Sequence, residues 1–198
     1  MRIGIVEYEM GNIYSLYSLF NHLEIDYFLS SDVSELNNAD VLILPGVGAF
    51  DEAMSKLHQL NLVQYLRRSN KPIIGICLGM QLFFEFGSEG GKSTTGLGLI
   101  EGSIELMELN KLPHVGFSRI IKSELSLDML DKDFYFTHSY AAERQDLKAS
   151  YAMIEIEGKL ITAAVQKENI IGFQFHPELS QNNGIKLFQQ LKEWHTKE

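Results

Sequence analysis

One cysteine, four prolines and one tryptophan are all that the 198 residues contain of those types, and each scarcity closes off a class of protein. A lone cysteine allows no internal disulfide and no zinc site of the usual multi-cysteine kind, so Cys77 is either an inert core thiol or a reactive one. Positive charge is short as well: 17 Lys and Arg stand against 26 Asp and Glu, for a formal net charge of −9. Phosphate backbones are gripped by clustered cations, which this chain lacks, so nucleic acid is not an expected partner. No apolar run approaches the ~18 residues that a bilayer-spanning helix needs. Glu7 and Glu9 also interrupt the N-terminal stretch where a secretory leader would be apolar. These absences imply a cytoplasmic chain that does not enter a membrane.

What is present suits one core. Hydrophobic residues make up 45% of the sequence, and no repeat, low-complexity tract or linker divides it, so residues 1–198 are expected to form a single domain. In the first half, β-rich runs at 3–6, 40–44 and 72–76 alternate with amphipathic segments at 12–23 and 49–66, the order of an α/β fold with a central, mostly parallel sheet flanked by helices. Residues 41–44 and 73–76 are continuously apolar, as strands covered on both faces are. Past Gly96, the runs 103–109, 115–122, 133–140, 151–157 and 160–165 read as additional mixed or antiparallel strands. The chain closes on 183–194, where Ile185, Leu187, Phe188, Leu191 and Trp194 recur at helical spacing and can pack on the sheet. Residues 88–95, rich in Gly, Ser and Thr, are the candidate mobile loop.

Three segments carry chemistry. Gly75-Ile76-Cys77-Leu78-Gly79 follows an apolar strand and precedes residues 80–86 of helical composition, which predicts a nucleophile elbow with Cys77 on a sharp strand-to-helix turn. The glycines leave room for that turn, and a helix N-terminus aimed at sulfur favours the thiolate. A structural cysteine between two glycines is the plain alternative. Phe173-Gln174-Phe175-His176-Pro177-Glu178 supplies what a thiol nucleophile needs: His176 can exchange protons with it, and Glu178 can orient and stabilise the imidazole. Alone, a histidine before proline is more often a turn residue. The third segment is Leu44-Pro45-Gly46-Val47-Gly48-Ala49-Phe50, whose glycines let the Val47 N–H turn inward as an oxyanion-hole donor, with the Leu78 N–H as the second. It can also be read as an ordinary Gly-rich turn or a phosphate cradle, although no Lys-Ser or Lys-Thr pair follows as in a P-loop.

Taken together, Pro45-Gly46-Val47-Gly48, Gly75-Ile76-Cys77-Leu78-Gly79-Met80-Gln81 and His176-Pro177-Glu178 resemble the class I glutamine amidotransferases over nearly the whole chain. Within them the sequence is most similar to the HisH family, the glutaminase subunits of imidazole glycerol phosphate synthase. That similarity rests on Tyr8, Met10-Gly11-Asn12, Gly96-Leu97-Gly98-Leu99-Ile100, Lys111-Leu112-Pro113-His114-Val115-Gly116 and Phe134-Tyr135-Phe136-Thr137-His138-Ser139-Tyr140. The resemblance implies a flavodoxin-like class I glutaminase fold. It also implies L-glutamine hydrolysis through a thioester on Cys77, with ammonia channelled to a barrel-shaped, HisF-like cyclase subunit in a heterodimer that serves histidine biosynthesis. It places Gly46, Gly48, Gln81, Glu89, His138, Ser139 and Tyr140 around the substrate. Gln81 lies one turn beyond Cys77, and Glu89 offers a carboxylate to an α-ammonium group, although in such a loop a glutamate is more often simply solvated. No metal or organic cofactor is implied: the six histidines are scattered, with His22, His58 and His195 in helix-like, solvated stretches.

The sequence departs from the HisH pattern at Glu9, where glycine is usual, at Phe117-Ser118, where Trp-Asn is usual, and at Leu179, where lysine is usual. In that family these segments face the cyclase, and Leu179 deletes a possible interfacial ion pair. A HisH-like paralogue supplying ammonia to a sugar amidotransferase in surface-polysaccharide synthesis is therefore an alternative. A non-catalytic binding module of the same fold is another, disfavoured by the retained triad.

Overall fold

The computed structural model of the chain describes residues 1–11 and 13–194; Asn12 and His195, both expected in helical stretches, lie outside them. The first half repeats one unit, a short strand followed by a helix whose apolar stripe folds back onto it. Strands β1 (Arg2–Val6), β2 (Asp26–Ser30), β3 (Val41–Leu44) and β4 (Ile73–Ile76) alternate with helices α1 (Ile13–His22), α2 (Val33–Leu36), α3 (Phe50–Gln59) and α4 (Leu62–Arg68). β3 and β4 are buried at every position. In α3 the buried residues are Phe50, Ala53, Met54 and Leu57, the i, i+3, i+4, i+7 stripe of an amphipathic helix.

Beyond Cys77 the chain forms α5 (Leu78–Gln81), β5 (Phe84–Gly87), β6 (Thr94–Thr95), β7 (Ile100–Leu106), β8 (His114–Arg119), β9 (Lys122–Ser123) and β10 (Asp133–His138). It continues through β11 (Tyr140–Ala142), β12 (Ser150–Ile156), β13 (Lys159–Lys167), β14 (Ile170–Phe173) and α6 (Gln181–Trp194). Among the described residues the main sheet has the order β2-β1-β3-β4-β14-β13-β12-β9. Pairing is parallel from β2 through β14 and antiparallel from there to β9. The 2-1-3-4 start is the flavodoxin-like order, in which ligands gather beyond the carboxyl ends of the parallel strands. The loops after β3, β4 and β14 leave that edge, and they are the three segments with chemical potential.

Side chains alternate across this sheet. Ile3, Ile5, Val41, Ile43, Ile74 and Ile76 pack with Leu16 and Phe20 of α1 and Leu187 and Phe188 of α6. Leu42, Leu44 and Ile73 pack on the other face with Met54 and Leu57 of α3 and Val63 and Leu66 of α4.

Several elements differ from the sequence reading. Residues 49–66 are two helices, because Asn61 takes a left-handed φ of 57°, a conformation asparagine tolerates better than most residues. The helix expected over 80–86 ends at Gln81, and Phe84–Gly87 is a strand paired with β6 and β7. Leu82, Phe83 and Phe84 are fully buried, and periodicity cannot separate a short strand from a helix when no face is polar. The strand expected at 103–109 begins earlier, at Ile100, and the run 133–140 divides at Ser139 into β10 and β11, which join different sheets. β2, a half-exposed edge strand, was not expected: its apolar run is only Tyr27-Phe28-Leu29. Residues 88–95 contain a 3₁₀ turn, Glu89–Gly91, and β6.

The elbow depends on a close approach. A β-carbon on Gly79 would lie 1.8 Å from the Leu44 carbonyl oxygen at the end of β3, so only glycine lets α5 rest against that strand end. Gly79→Ala is expected to cost about 1–3 kcal/mol, the usual range for overpacking, read as a lower urea midpoint at unchanged slope. A wild-type midpoint would mean that α5 can move off β3 without loss.

Candidate active site

Cys77 lies between the end of β4 and the start of α5, with φ 53° and ψ −110°. Such a backbone is strained for a residue with a β-carbon, and it is held by the Cys77 N–H, which donates to the Phe173 carbonyl at 2.7 Å. The sulfur opens into a cavity of about 410 Å³ lined by Val47, Gly48, Cys77, Leu78, Gln81, Glu89, His138, Ser139, Tyr140 and His176, together with Pro113 and Thr137. Gly46 is not among the lining residues; it lies beneath, against Tyr8 and Leu78. The cavity is large enough for an amino-acid-sized ligand.

His176 reaches this cavity from the loop after β14, with Glu178 bonded to its ring from the same loop. His176 Nδ1 and Glu178 Oε1 are 2.8 Å apart, with both side chains almost fully buried. The loop is clamped by its backbone: His176 N–H donates to the Tyr135 carbonyl at 2.8 Å, Ser180 Oγ donates to the His176 carbonyl at 2.6 Å, and Tyr135 N–H donates to Ser180 Oγ at 2.9 Å. The part that Ser180 and Tyr135 play in holding the site was not legible in the sequence. Burial opposes a charge on the His176 ring, but Cys77 and Glu178 beside it outweigh that penalty and push its pKa up to about 10. Its Nε2 is buried without a hydrogen-bond partner among the described residues. Cys77 is therefore a near neighbour that acts on the ring with no closed hydrogen bond.

His138 has the opposite character. Burial pushes its pKa down to about 4; a bond to the Tyr140 carbonyl works the other way, and His114 and His176 add to the lowering. A carbonyl only accepts, so the neutral ring donates from Nδ1, 2.9 Å from the Tyr140 oxygen, and Nε2 is left as a bare, buried acceptor.

Two polar residues are engaged in ways their sequence positions did not disclose. Gln81 Nε2 donates to the Tyr140 carbonyl and to Gln174 Oε1, each at 3.0 Å. Glu89 Oε2 accepts from the Phe50 N–H at 2.7 Å, satisfying a donor at the start of α3. Each keeps one oxygen that can face a ligand ammonium. Of the two expected oxyanion donors, the Leu78 N–H is the first of α5 and needs no intrahelical partner. The Val47 N–H donates instead to the Met10 carbonyl, at 3.3 Å. Gly48 beside it has φ 104°, a region in which β-carbons are disfavoured. Glu9, where glycine is usual in the resembling family, has φ 65° and is paired through Oε2 with Lys56 at 2.5 Å. Among the described residues no cluster of His, Cys, Asp or Glu could hold a metal ion, and no helix is long and apolar enough to cross a membrane.

The cluster's pH dependence follows from the sign of the shift. The folded-state pKa of His176, about 10, lies above its ordinary value of 6.5. The resulting stability is present in full below about 6.5 and is lost as pH rises through about 10. Denaturation of the wild type between neutral pH and pH ~10 is expected to show this decline. Glu178→Gln, which removes one of the two charges holding the proton, is expected to flatten it and to lower the His176 midpoint seen by NMR. An unchanged midpoint would refute the pairing.

A family model described as "Glutamine amidotransferase class-I" matches residues 6–193. The chain is 45% identical to the protein named imidazole glycerol phosphate synthase subunit HisH 2 of Vibrio vulnificus, covering 98% of this chain and 95% of that one. It is 38% identical to imidazole glycerol phosphate synthase subunit HisH of Aquifex aeolicus, covering 97% and 96%. In three dimensions it is similar to a solved glutamine amidotransferase, with a TM-score of 0.77 at 14% identity and 98% of both chains covered. It is also similar to PurLQS from Thermotoga maritima, with a TM-score of 0.70 at 18% identity and the same coverage. The α/β fold is thus that of class I amidotransferases, and the chain belongs to the class I glutamine amidotransferase family.

Proposed function

We propose that residues 1–198 form one glutaminase domain that hydrolyses L-glutamine to glutamate and ammonia through a thioester on Cys77 and passes the ammonia to a HisF-like, barrel-shaped cyclase subunit. The observation that carries this reading is a buried trio: the chain's only thiol on a strained elbow, an imidazole opening into the same cavity, and a carboxylate 2.8 Å from that ring's other nitrogen. His176 holds the proton given up by the thiol, and the sulfur attacks the amide carbon as the thiolate. The oxyanion is met by the Leu78 N–H and, once turned inward, by the Val47 N–H. His176 returns the proton to the nitrogen as the C–N bond breaks, and ammonia leaves. Water then loses a proton to His176 and adds to the thioester carbon; the C–S bond breaks, glutamate departs and the thiol is restored. In the cavity wall, the free oxygens of Gln81 and Glu89 suit an α-ammonium group, with His138 in the same wall. Ser139 and Tyr140 complete the wall. The near-full-length similarity to HisH proteins supports imidazole glycerol phosphate synthesis in the cytoplasm as the setting.

The reaction is tested at its nucleophile. Cys77→Ala is expected to abolish turnover, and an electrophilic glutamine analogue to label the wild type once, at Cys77. His176→Ala is expected to cost at least as much activity as Glu178→Gln, since the base moves protons while the carboxylate orients it. Activity surviving in Cys77→Ala with a partner present, or a clearly worse Glu178→Gln in folded protein, would overturn these roles.

A second expectation concerns activation. With the Val47 N–H bonded to Met10, the site has one ready oxyanion donor, which fits an enzyme that idles until its partner docks. Tenfold activation requires about 1.4 kcal/mol of differential binding to the competent state. Gly48→Ala would place a β-carbon 2.9 Å from Met10 Cε at a φ unsuited to it. It is expected to reduce activation by the cyclase with little effect on complex formation; full turnover by the isolated chain would refute the idling state.

Phe117 and Leu179, both exposed, favour a second destination for the ammonia. Phe117 packs edge-on against Tyr135, the residue that clamps His176. In that reading the acceptor is a sugar amidotransferase partner. The enzyme co-purifying with the chain from its own cells, a cyclase or a sugar-modifying synthase, decides between them.

A further inference from the structure

Gln174 is fully buried, two residues before His176, and takes no part in the chemistry above. Its Nε2 lies 3.8 Å from Cys77 Sγ, within reach of an N–H···S hydrogen bond. An amide could present either its oxygen or its nitrogen to the sulfur, and the choice decides whether it opposes or supports a negative charge there. The surrounding bonds settle this. The Tyr140 carbonyl can only accept, so Gln81 must turn its NH₂ toward it, 3.0 Å away. The same Gln81 nitrogen is 3.0 Å from Gln174, which must answer with its oxygen. The Gln174 NH₂ therefore faces the sulfur. The Tyr140 carbonyl also receives His138 Nδ1–H, so one backbone oxygen sets the polarity of the whole buried network.

We infer that Gln174 is a further catalytic residue, an N–H donor to the Cys77 sulfur that stabilises it as the thiolate. The inference rests on the glutaminase reading for its place in the reaction. When the thioester is hydrolysed, the C–S bond breaks, its electron pair returns to sulfur, and the Gln174 N–H receives the growing charge. The donor is behind the nucleophile and outside the cavity wall, so it acts on the sulfur without touching the substrate.

The test uses the full chain, in which one cysteine makes alkylation site-specific. Gln174→Met keeps length and apolar volume but carries no N–H. Iodoacetamide is expected to react with it about tenfold more slowly at neutral pH, the effect of losing one hydrogen bond to an anion. Its rate–pH profile is expected to be displaced to the alkaline side. With the partner, kcat for glutamine is expected to fall about tenfold while KM stays within about twofold. A packing role alone would lower activity and leave the alkylation profile in place, and that result would overturn the inference. Should the variant fail to fold, the wild type decides: the Gln174 side-chain amide resonances should titrate over the pH range of the alkylation rate, and should not do so in Cys77→Ala. A flat Gln174 titration in the wild type overturns the inference. Absence of glutamine turnover in the wild-type complex would sink the functional reading alone, since alkylation and amide shifts need no substrate.

Discussion

The active-site geometry hangs on the parallel pairing of β4 with β14. Their register sets Ile76 opposite Phe173, and the next bond, from Cys77 N–H to the Phe173 carbonyl, carries the alignment one residue past the end of β4. The chain leaves β14 with Gln174 beside the sulfur and His176 two residues on. Strands whose nearest ends in sequence, Ile76 and Ile170, are 94 positions apart thus bring their reactive residues together. Both strands are fully buried, so their register is fixed by the packing of two apolar faces; a one-residue slip would exchange those faces. Rigid strands locate the side chains, and the loops only aim them.

Electrostatics at this edge work by confinement. A buried imidazole would ordinarily lose its proton, yet His176 lies between Cys77 and a carboxylate with almost no access to water. Glu178 Oε2 is itself buried with no hydrogen-bond partner among the described residues. A lone buried carboxylate is costly, and a cationic neighbour offsets that cost. The backbone clamp through Tyr135 and Ser180 keeps the ring from escaping to solvent. His138, also buried but with no carboxylate bonded to it, goes the other way and stays neutral. Two histidines opening into one cavity are thereby given opposite protonation states by what each is bonded to.

The parts legible in the sequence were those whose cause is local. Continuous apolar runs marked β3 and β4, the glycine spacing marked the elbow, and His176-Pro177-Glu178 was short enough to read as a unit. What escaped depends on backbone turns and on partners that the local pattern does not show. Asn61 breaks a helix by one left-handed residue, and Phe84–Gly87 becomes a strand only because β6 and β7 are there to pair with it. Glu89 resembled a solvated loop residue or a substrate ligand, and its bond to the start of α3 spans 39 positions. Gln81 was legible as a pocket residue, but the direction of its amide follows from Tyr140 and Gln174, 59 and 93 positions away. Residue types announce possible chemistry; the direction of each hydrogen bond belongs to the fold.

The segment that holds the Val47 N–H carries backbone strain, and an ion pair sets against it. Glu9 occupies a left-handed φ of 65°, which costs a non-glycine residue roughly 1–2 kcal/mol. Its ion pair with Lys56 is largely exposed, at 37% and 71% for the two side chains, and such pairs return at most about 1 kcal/mol. The Val47–Met10 bond, at 3.3 Å, lies at the long end of the hydrogen-bond range. The strain at Glu9 and its attraction to Lys56 are of similar size, so the ion pair offsets much of the cost of the left-handed turn. Through Lys56 that turn is tied to α3, whose first N–H is held by Glu89 in the cavity wall. The Phe50 N–H takes one Glu89 oxygen and leaves the other for a ligand ammonium, so the cavity wall and the segment that holds the Val47 N–H both lean on one helix.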